Sequence, residues 1–391
     1  MSRKLPIGVT AAPFIRSGPA VALELARCAD QLGYDSFWVA EVAGAEAFSV
    51  LGATAQVAPS IGLGTGVVPL QVRAPTLLAM AAASLQAMAP DREILIGLGV
   101  SSPVVAADWH GAVYPARPLS YVREFLTVLR LCLSGEPVSF AGDHFTIRKF
   151  RLGVELGERR PKIVLGALNE GMLRLGGAEA DGVLLNYLPA SQVPWCVERV
   201  RAGGSATIYA NVHVGVGDRD ATVDYARFDL FSYVVVDAYA QSFARAGFGD
   251  EVETVRTAHA NGNRAAAVAG VSDRMLDAIS IVGDEKLVAG AVAAYRAAGV
   301  DVPVVFPVVP TSARAGRWSP HCEPLAIASA ADRPAGTIEP MPSWVAQLSP
   351  KRQRRARRGT SGAQRHAICP EAMRTAEISA AVQNACTLRL P

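Results

Sequence analysis

The residues that could carry chemistry stand at the ends of this chain's apolar runs. They are Thr10 to Phe14, Glu41, Thr65 to Pro69, Val100 to Pro103, Ala167 to Glu170, Asn186 with Tyr187, and His213 to Gly217. Glu41 is the best candidate for a group that protonates or polarises a substrate. The set contains no HExxH pair, no carboxylate cluster and no GxSxG, so neither metal-assisted hydrolysis nor serine acylation is in view, and no metal site is expected. Glycine, small hydroxyls and apolar surface dominate instead. That composition suits a flat, largely apolar ligand with a few hydrogen-bonding edges and a phosphate. It suits chemistry supplied by a bound group rather than by side chains.

One run sharpens the point. "IGLGTGVVPLQVRAP" (61–75) reads as a strand, yet glycines stand at 62, 64 and 66. Glycine weakens a strand interior because it packs nothing and loses the most entropy on ordering. Two explanations stay open on the residues alone. The glycines relieve crowding where elements pack closely, or they let a ligand approach bare backbone.

The elements that must position these residues alternate. Apolar strands are expected at 5–12, 35–42, 61–69, 93–100, 161–168, 181–188, 206–216 and 300–309. Helices fall between them, as in "GPAVALELARCADQLG" (18–33), which stops at Gly33, a good residue for a left-handed cap. Pro75 opens a helix and Pro90 follows its end. Eight strands with helical crossovers over 1–316 predict a (β/α)8 TIM barrel with insertions, whose reactive groups lie at the C-terminal strand ends. A dinucleotide fold would need GxGxxG after the first strand, where the sequence has "TAAPFIRSG". Residues 136–160 predict a β-hairpin insertion, and 217–280 a mostly helical cover over one end of the barrel.

Charge divides the chain. Residues 317–391 hold 11 Lys/Arg and 5 Asp/Glu, which leaves 27 basic and 30 acidic residues in 1–316, against an overall +3. The basic character is in the tail, chiefly "KRQRRARR" (351–358). Six cysteines show no CxxC spacing, so no zinc site is suggested. No apolar run is long enough for a membrane span, and "MSRKLPIGVTAAPF" has no signal-peptide core. A cytoplasmic protein with no membrane partner is the expectation.

The combination "IGLGTGVVPLQVRAPTLLAMAAASLQAMAPDREILIGLGVSSPV", "WVAEV", "DWHGAVYPARPLSYVREFL", "PKIVLGALNEGMLRLGGAEADGVLLNYLP" and "AAYRAAGVDVPVVFP" resembles the luciferase-like monooxygenase superfamily. Within it, the sequence is most similar to the coenzyme F420-dependent oxidoreductases of actinobacterial type. The resemblance spans about residues 5–310 and implies hydride transfer between coenzyme F420 and a small organic substrate. Reduced-FMN monooxygenation on the same fold is the alternative, and a non-catalytic paralogue that only binds the cofactor is a third reading.

By position, the resemblance implies a bulge with a non-prolyl cis peptide at Gly66–Val67. Gly64, Thr65, Gly66 and Val67 would then back the cofactor ring, Val100, Ser101 and Ser102 would meet its edge, and Ala167, Leu168, Asn169 and Asn186 would hold its phosphate. For the turn at 167–169, the helix opened by "GALNEG" points the same way, since free N–H groups and the helix dipole favour a phosphate; Asn186 rests on the resemblance alone. Plainer roles stand beside these. Ser101 and Ser102 could simply cap a helix, Asn169 could be an ordinary N-cap, and His213 a satisfied core histidine. Phe14, Trp109, His110 and Tyr187 are expected to line the substrate pocket, with loop anchoring as the plainer role for Trp109 and His110. Two departures matter. Relatives often follow the residue at 41 with a proton-handling histidine, where this chain has Val42, and some place a glutamate where Ser101 and Ser102 stand. Sugar-phosphate dehydrogenation is therefore in doubt. Relatives are often homodimers.

After Pro310 the family pattern stops. Residues 317–391 are expected to be a disordered or aberrant extension. An arm for acidic surfaces is the sharper reading, but eight charged-tract residues with no domain around them do not suggest specific nucleic-acid recognition.

Overall fold

The computed structural model describes residues 5–15 and 17–309. Eight parallel strands form the barrel: β1 (Gly8–Thr10), β2 (Ser36–Val39), β3 (Gly62–Thr65), β4 (Ile94–Gly99), β5 (Lys162–Gly166), β6 (Gly182–Leu185), β7 (Thr207–Val216) and β8 (Val302–Pro307). Each pairs with the next, and β8 returns to β1 with Gly8 opposite Val304. The closed (β/α)8 barrel read from the alternation is the observed fold.

Helices α1 (Pro19–Gln31), α2 (Ala47–Val57), α3 (Pro75–Met88), α4 (Pro118–Leu133), α5 (Glu170–Glu179) and α6 (Val193–Gly203) wrap the first seven strands. In α1 the buried residues Val21, Ala22, Leu25, Ala26 and Ala29 form one stripe, the spacing that turns a single helix face to the sheet. Gly33 takes φ +74°, the left-handed conformation that ends such a helix. Five further helices make up the insertion: α7 (Val223–Val234), α8 (Asp237–Phe243), α9 (Gly249–Ala260), α10 (Arg264–Ala269) and α11 (Asp273–Ile279). Helix α12 (Glu285–Ala297) then leads into β8.

The barrel interior explains part of the glycine pattern. Trp38 from β2 lies inside, 1% exposed, with Leu95, Val164, Leu184, Tyr209, Val302 and Val304 around it. Its ring meets Tyr209 edge-on at 5.2 Å, and its indole N–H donates to Ser36 Oγ at 2.9 Å. A Cβ on Gly64 would lie 2.7 Å from Trp38 Cε3, and one on Gly62 would lie 2.9 Å from the Asp35 carbonyl oxygen. Crowding against a large ring and against backbone, rather than a ligand, requires glycine at these two positions.

One feature is the bulge that the resemblance implied, and two differ from the expected elements. The third strand is broken: after Thr65 the chain bulges, then Val68–Pro69 pairs again with β4. An additional strand, Ser280–Gly283, pairs with the last four residues of β7, while the first four pair with β6. Strand β7 outruns β6, and the extra strand covers an edge that would otherwise lack partners. The stretch after β4 forms a π-helical turn, Val104–Trp109, rather than open loop. The expected hairpin is present as Val138–Ala141 and Thr146–Phe150. It is pinned by Glu124 of α4, whose carboxylate accepts from the backbone N–H groups of Asp143, His144 and Phe145. The boundary expected at 316 and the extension 317–391 lie outside the described residues.

Candidate functional site

The bulge after β3 is tied to both neighbouring strands. The peptide Gly66–Val67 is cis, at the position the resemblance implied. Thr65 Oγ1 donates to the Gly97 carbonyl at 2.7 Å, so this hydroxyl anchors the bulge to β4 rather than facing a ligand. Gly66 N–H donates to Val39 O at 2.9 Å, and Val67 O accepts from Glu41 N–H at 3.2 Å. A Cβ on Gly97 would lie 1.8 Å from the Thr65 carbonyl oxygen, so the bulge requires glycine on the facing strand. The Val67 side chain rests over Gly99 and Gly166, whose absent Cβ positions are 3.1 and 3.3 Å away. Bare backbone on β4 and β5 therefore surrounds the one side chain of the bulge.

Glu41, at the end of β2, is held by Arg73. The Arg73 guanidinium donates to Glu41 Oε2 at 2.7 Å and Oε1 at 3.3 Å, and to Glu46 Oε1 at 2.6 Å. Glu41 Oε2 also accepts from Ala47 N–H, the first residue of α2, at 3.0 Å. Both Glu41 oxygens are thus accepting, and the Arg73 and Glu41 side chains are only 13% and 14% exposed. Glu46 caps α2 through the N–H groups of Phe48 and Ser49. Burial alone would raise the Glu46 carboxyl, but the Ser49 hydroxyl, those two N–H groups and Arg73 outweigh it and hold it at about 2. Arg73 was not singled out from the sequence. It follows the third strand by only a few residues, and nothing in its spacing connects it to 41 and 46.

Ser101 and Ser102 lie past β4, beside half-buried Val100. Ser101 N–H donates to Gln71 Oε1 at 3.2 Å, and its carbonyl accepts from Gln71 Nε2 at 3.4 Å. Ser102 Oγ accepts from Val105 N–H at 3.2 Å and caps the π-helical turn, the plainer of its two roles. Trp109, in that turn, is 54% exposed. His110 reaches across to the Val42 carbonyl at 2.6 Å, which anchors the loop to the end of β2.

At the start of α5, Ala167 N–H donates to Leu184 O at 3.2 Å, and Asn169 is the N-cap residue without a side-chain capping bond. Its side chain is engaged by the insertion instead. Asn169 Nδ2 donates to Ala238 O at 3.2 Å, and Asn169 Oδ1 accepts from Arg245 at 2.7 Å. Arg245 also donates to Leu168 O at 2.8 Å. Burial pulls the Arg245 guanidinium below its ordinary value, and Arg199 pulls the same way. Cys196 nearby is a buried thiol pushed up to about 11 by burial, which makes it a poor nucleophile.

Asn186, just past the end of the neighbouring strand β6, accepts at Oδ1 from Asn211 Nδ2 at 3.2 Å, and the same oxygen lies 3.1 Å from His213 Nε2. His213 is 2% exposed and stacks on Phe306 at 3.9 Å, so it matches the satisfied core histidine. Tyr187 and Phe14, expected as pocket walls, are each 1% exposed and present no open face to a substrate. Phe14 packs in the main core with α1 and α2. Tyr187, at φ +49°, packs against Tyr233 at 4.0 Å and His213 at 4.2 Å, and its hydroxyl donates to Asp229 at 2.5 Å. Helices α7 and α8 thus fill the mouth of the barrel with aromatic side chains.

Among the described residues, no group of His, Cys, Asp and Glu could hold a metal ion, and no helix is long and apolar enough to cross a membrane. Comparison with known proteins agrees with the geometry. A protein of Mycobacterium tuberculosis whose name proposes a coenzyme F420-dependent oxidoreductase is 29% identical over 316 residues, covering 72% of this chain and 89% of its own. The 5,10-methylenetetrahydromethanopterin reductase of Archaeoglobus fulgidus is 25% identical over 277 residues, 66% of this chain and 80% of its own. The structure of the coenzyme F420-dependent tetrahydromethanopterin reductase from Methanopyrus kandleri superposes with a TM-score of 0.63 at 21% identity, covering 78% and 93% of the two chains, a likeness of fold. The model of the luciferase-like monooxygenase family matches residues 6–302, and the chain belongs to that family.

Proposed function

We propose that the chain is an oxidoreductase that moves a hydride between coenzyme F420 and a small organic substrate. The observation that carries this reading is the continuity of the rim from β3 to β5. The bulge Thr65–Val67 adjoins Gly99 and Gly166, and β5 leads directly into the first turn of α5. On this reading a support for a flat ring and one for a phosphate stand side by side on consecutive strands.

Two features of the structure fit such a group. The glycines of β4 and β5 seat the Val67 side chain and so hold the bulge in place behind a ring, and among the described residues the Arg245 Nε is buried with no hydrogen-bond partner beside the turn that would hold the phosphate. When bound, the deazaflavin supplies the hydride chemistry. The protein's own share is binding, orientation and exclusion of water. The backbone of Gly66 and Val67 backs the ring, with Gly64 and Thr65 anchoring that bulge against Trp38 and Gly97, Val100 to Ser102 meet its edge through backbone groups, and Ala167 to Asn169 with Asn186 hold the phosphate. Glu41 orients Arg73 and the start of α2 as a charged acceptor, so its role is positioning rather than proton donation. Helices α7 and α8 must shift from the mouth for a substrate to reach the ring.

The test is a fluorescence titration of the full-length chain with coenzyme F420 and, separately, FMN. Micromolar binding of F420 in preference to FMN, followed by turnover with alcohol or aldehyde substrates, is the expected result. Preference for FMN would move the reading to a flavin monooxygenase. Binding of neither by folded protein would leave only the barrel.

A further inference from the structure

Among the described residues, Arg245 is a cation without a counter-ion. Its guanidinium contacts are a carbonyl and an amide oxygen, Leu168 O and Asn169 Oδ1, and no carboxylate acts on it among the described residues. Its Nε is buried without a hydrogen-bond partner, and so is the Nε of Arg199. Both guanidiniums lie over one ring, Trp195, at 3.9 Å for Arg199 and 4.5 Å for Arg245. Among the described residues, the acid paired with Arg199 is its sequence neighbour Glu198, whose side chain is 76% exposed, a weakly bound surface partner. Glu170, in the first turn of α5, pairs with Arg174 instead. Two like charges thus share one indole beside a helix N-terminus, which is itself the positive end of that helix. Two buried donors go unused there, although native proteins satisfy nearly all such groups.

We propose that Arg245, Arg199 and the first turn of α5 form an anion subsite that takes the charged tail of the cofactor, its phosphate and the carboxylates beyond it. The inference rests on the deazaflavin reading above and deepens it. Stacking on Trp195 orients each planar guanidinium and leaves its N–H edge for carboxylate or phosphate oxygens. FMN ends at its phosphate, whereas coenzyme F420 continues into carboxylates, so a pair of arginines favours the latter. Arg245 belongs to the insertion, so a bound tail would also draw residues 217–280 onto the barrel.

The experiment is a fluorescence titration of full-length wild type, R245Q, R245K and R199Q. The probes are coenzyme F420, its uncharged ring-and-ribityl fragment, FMN and riboflavin. R245Q should weaken F420 about tenfold or more, R245K should recover part of the loss, and the uncharged fragment should bind as before. The salt dependence of F420 binding should flatten in R245Q and R199Q. Equal weakening of charged and uncharged ligands would mean a structural role and would overturn the proposal, as would no change in either. If the chain binds flavins but no deazaflavin, the cofactor reading fails while the subsite is still judged. Loss of the FMN-over-riboflavin preference in R245Q sustains it, and an unchanged preference overturns it. If no ring compound binds, inorganic pyrophosphate is the probe. Quenching of tryptophan emission that is absent from W195F and R245Q sustains the subsite, and no quenching overturns it.

Discussion

His110 Nε2 lies 2.6 Å from the carbonyl oxygen of Val42. A carbonyl only accepts, so the imidazole donates from Nε2, which leaves Nδ1 for another partner. The family resemblance implied a histidine directly after Glu41, and the chain has valine there. The structure brings an imidazole to the same strand end from the loop after β4. The bond joins two loops separated by 68 residues. H110A should therefore raise amide hydrogen exchange in residues 104–112 by about tenfold, and H110Q, which keeps a donor, should restore much of the protection. Unchanged exchange in H110A would remove the anchoring role.

Arg73 balances two carboxylates at the start of α2. R73Q leaves Glu41 and Glu46 facing each other without a cation, in a place where Glu41 is 14% exposed. The expected cost is about 2–3 kcal/mol in urea unfolding, near the lower end for breaking a buried pair. A loss below about 0.5 kcal/mol would show the pair to be an ordinary surface contact.

The same site gives a pH dependence. The Glu46 carboxyl is held at about 2 against an ordinary 4.5, so the folded state binds its proton less readily than the unfolded chain. The stability this contributes is complete above pH about 4.5 and is lost as the pH falls towards 2. Urea midpoints of wild type and E46Q should therefore differ most at neutral pH, with a gap that narrows below about pH 4.5 and closes only towards pH 2. A gap that widens on acidification would contradict the assignment.

The fold was legible because it depends on repeated local signals: apolar strands, helices with one buried stripe, Pro75 opening α3 and Gly33 closing α1. The bulge position was reachable through the family resemblance. What could not be read were side-chain destinations. Thr65 could equally have faced a ligand or Gly97. Arg73 and Arg245 gave no signal because their partners lie 32 and 76 residues away. Tyr187 and Phe14 were placed at the correct strand ends, but burial by the insertion and by α1 decides whether a ring at a strand end lines a pocket or fills it. The glycines at 62 and 64 became intelligible only once Trp38 was seen inside the barrel.

Gly97 tests the bulge from the opposite strand. A Cβ there would sit 1.8 Å from the Thr65 carbonyl oxygen, which is backbone and cannot swing away. G97A should displace the bulge, cost about 2–4 kcal/mol, and weaken cofactor binding at least tenfold. G290A is the matched control. Gly290 lies within α12 and a Cβ there meets nothing within 4 Å, so alanine should stabilise by about 0.5–1 kcal/mol and leave binding unchanged. Normal cofactor affinity in a folded G97A would separate the bulge from the cofactor.

Tyr187 and Asp229 join the barrel to the insertion. The phenol donates to Asp229 Oδ2 at 2.5 Å. Burial first, and then the Asp229 charge, raises it well above its ordinary value, which favours the phenol as the donor of this bond. Y187F removes a charge-assisted bond from a fully buried ring and should cost about 1–3 kcal/mol in urea unfolding. D229N keeps an acceptor but loses the charge and should cost about 1 kcal/mol. Because the two groups touch, the double variant should fall short of the sum by at least about 0.5 kcal/mol. In Y187F, exchange should rise first in α7, since the bond ties that helix to the end of β6. Strict additivity, with no change in α7 exchange, would show that aromatic packing alone holds the insertion over the barrel mouth.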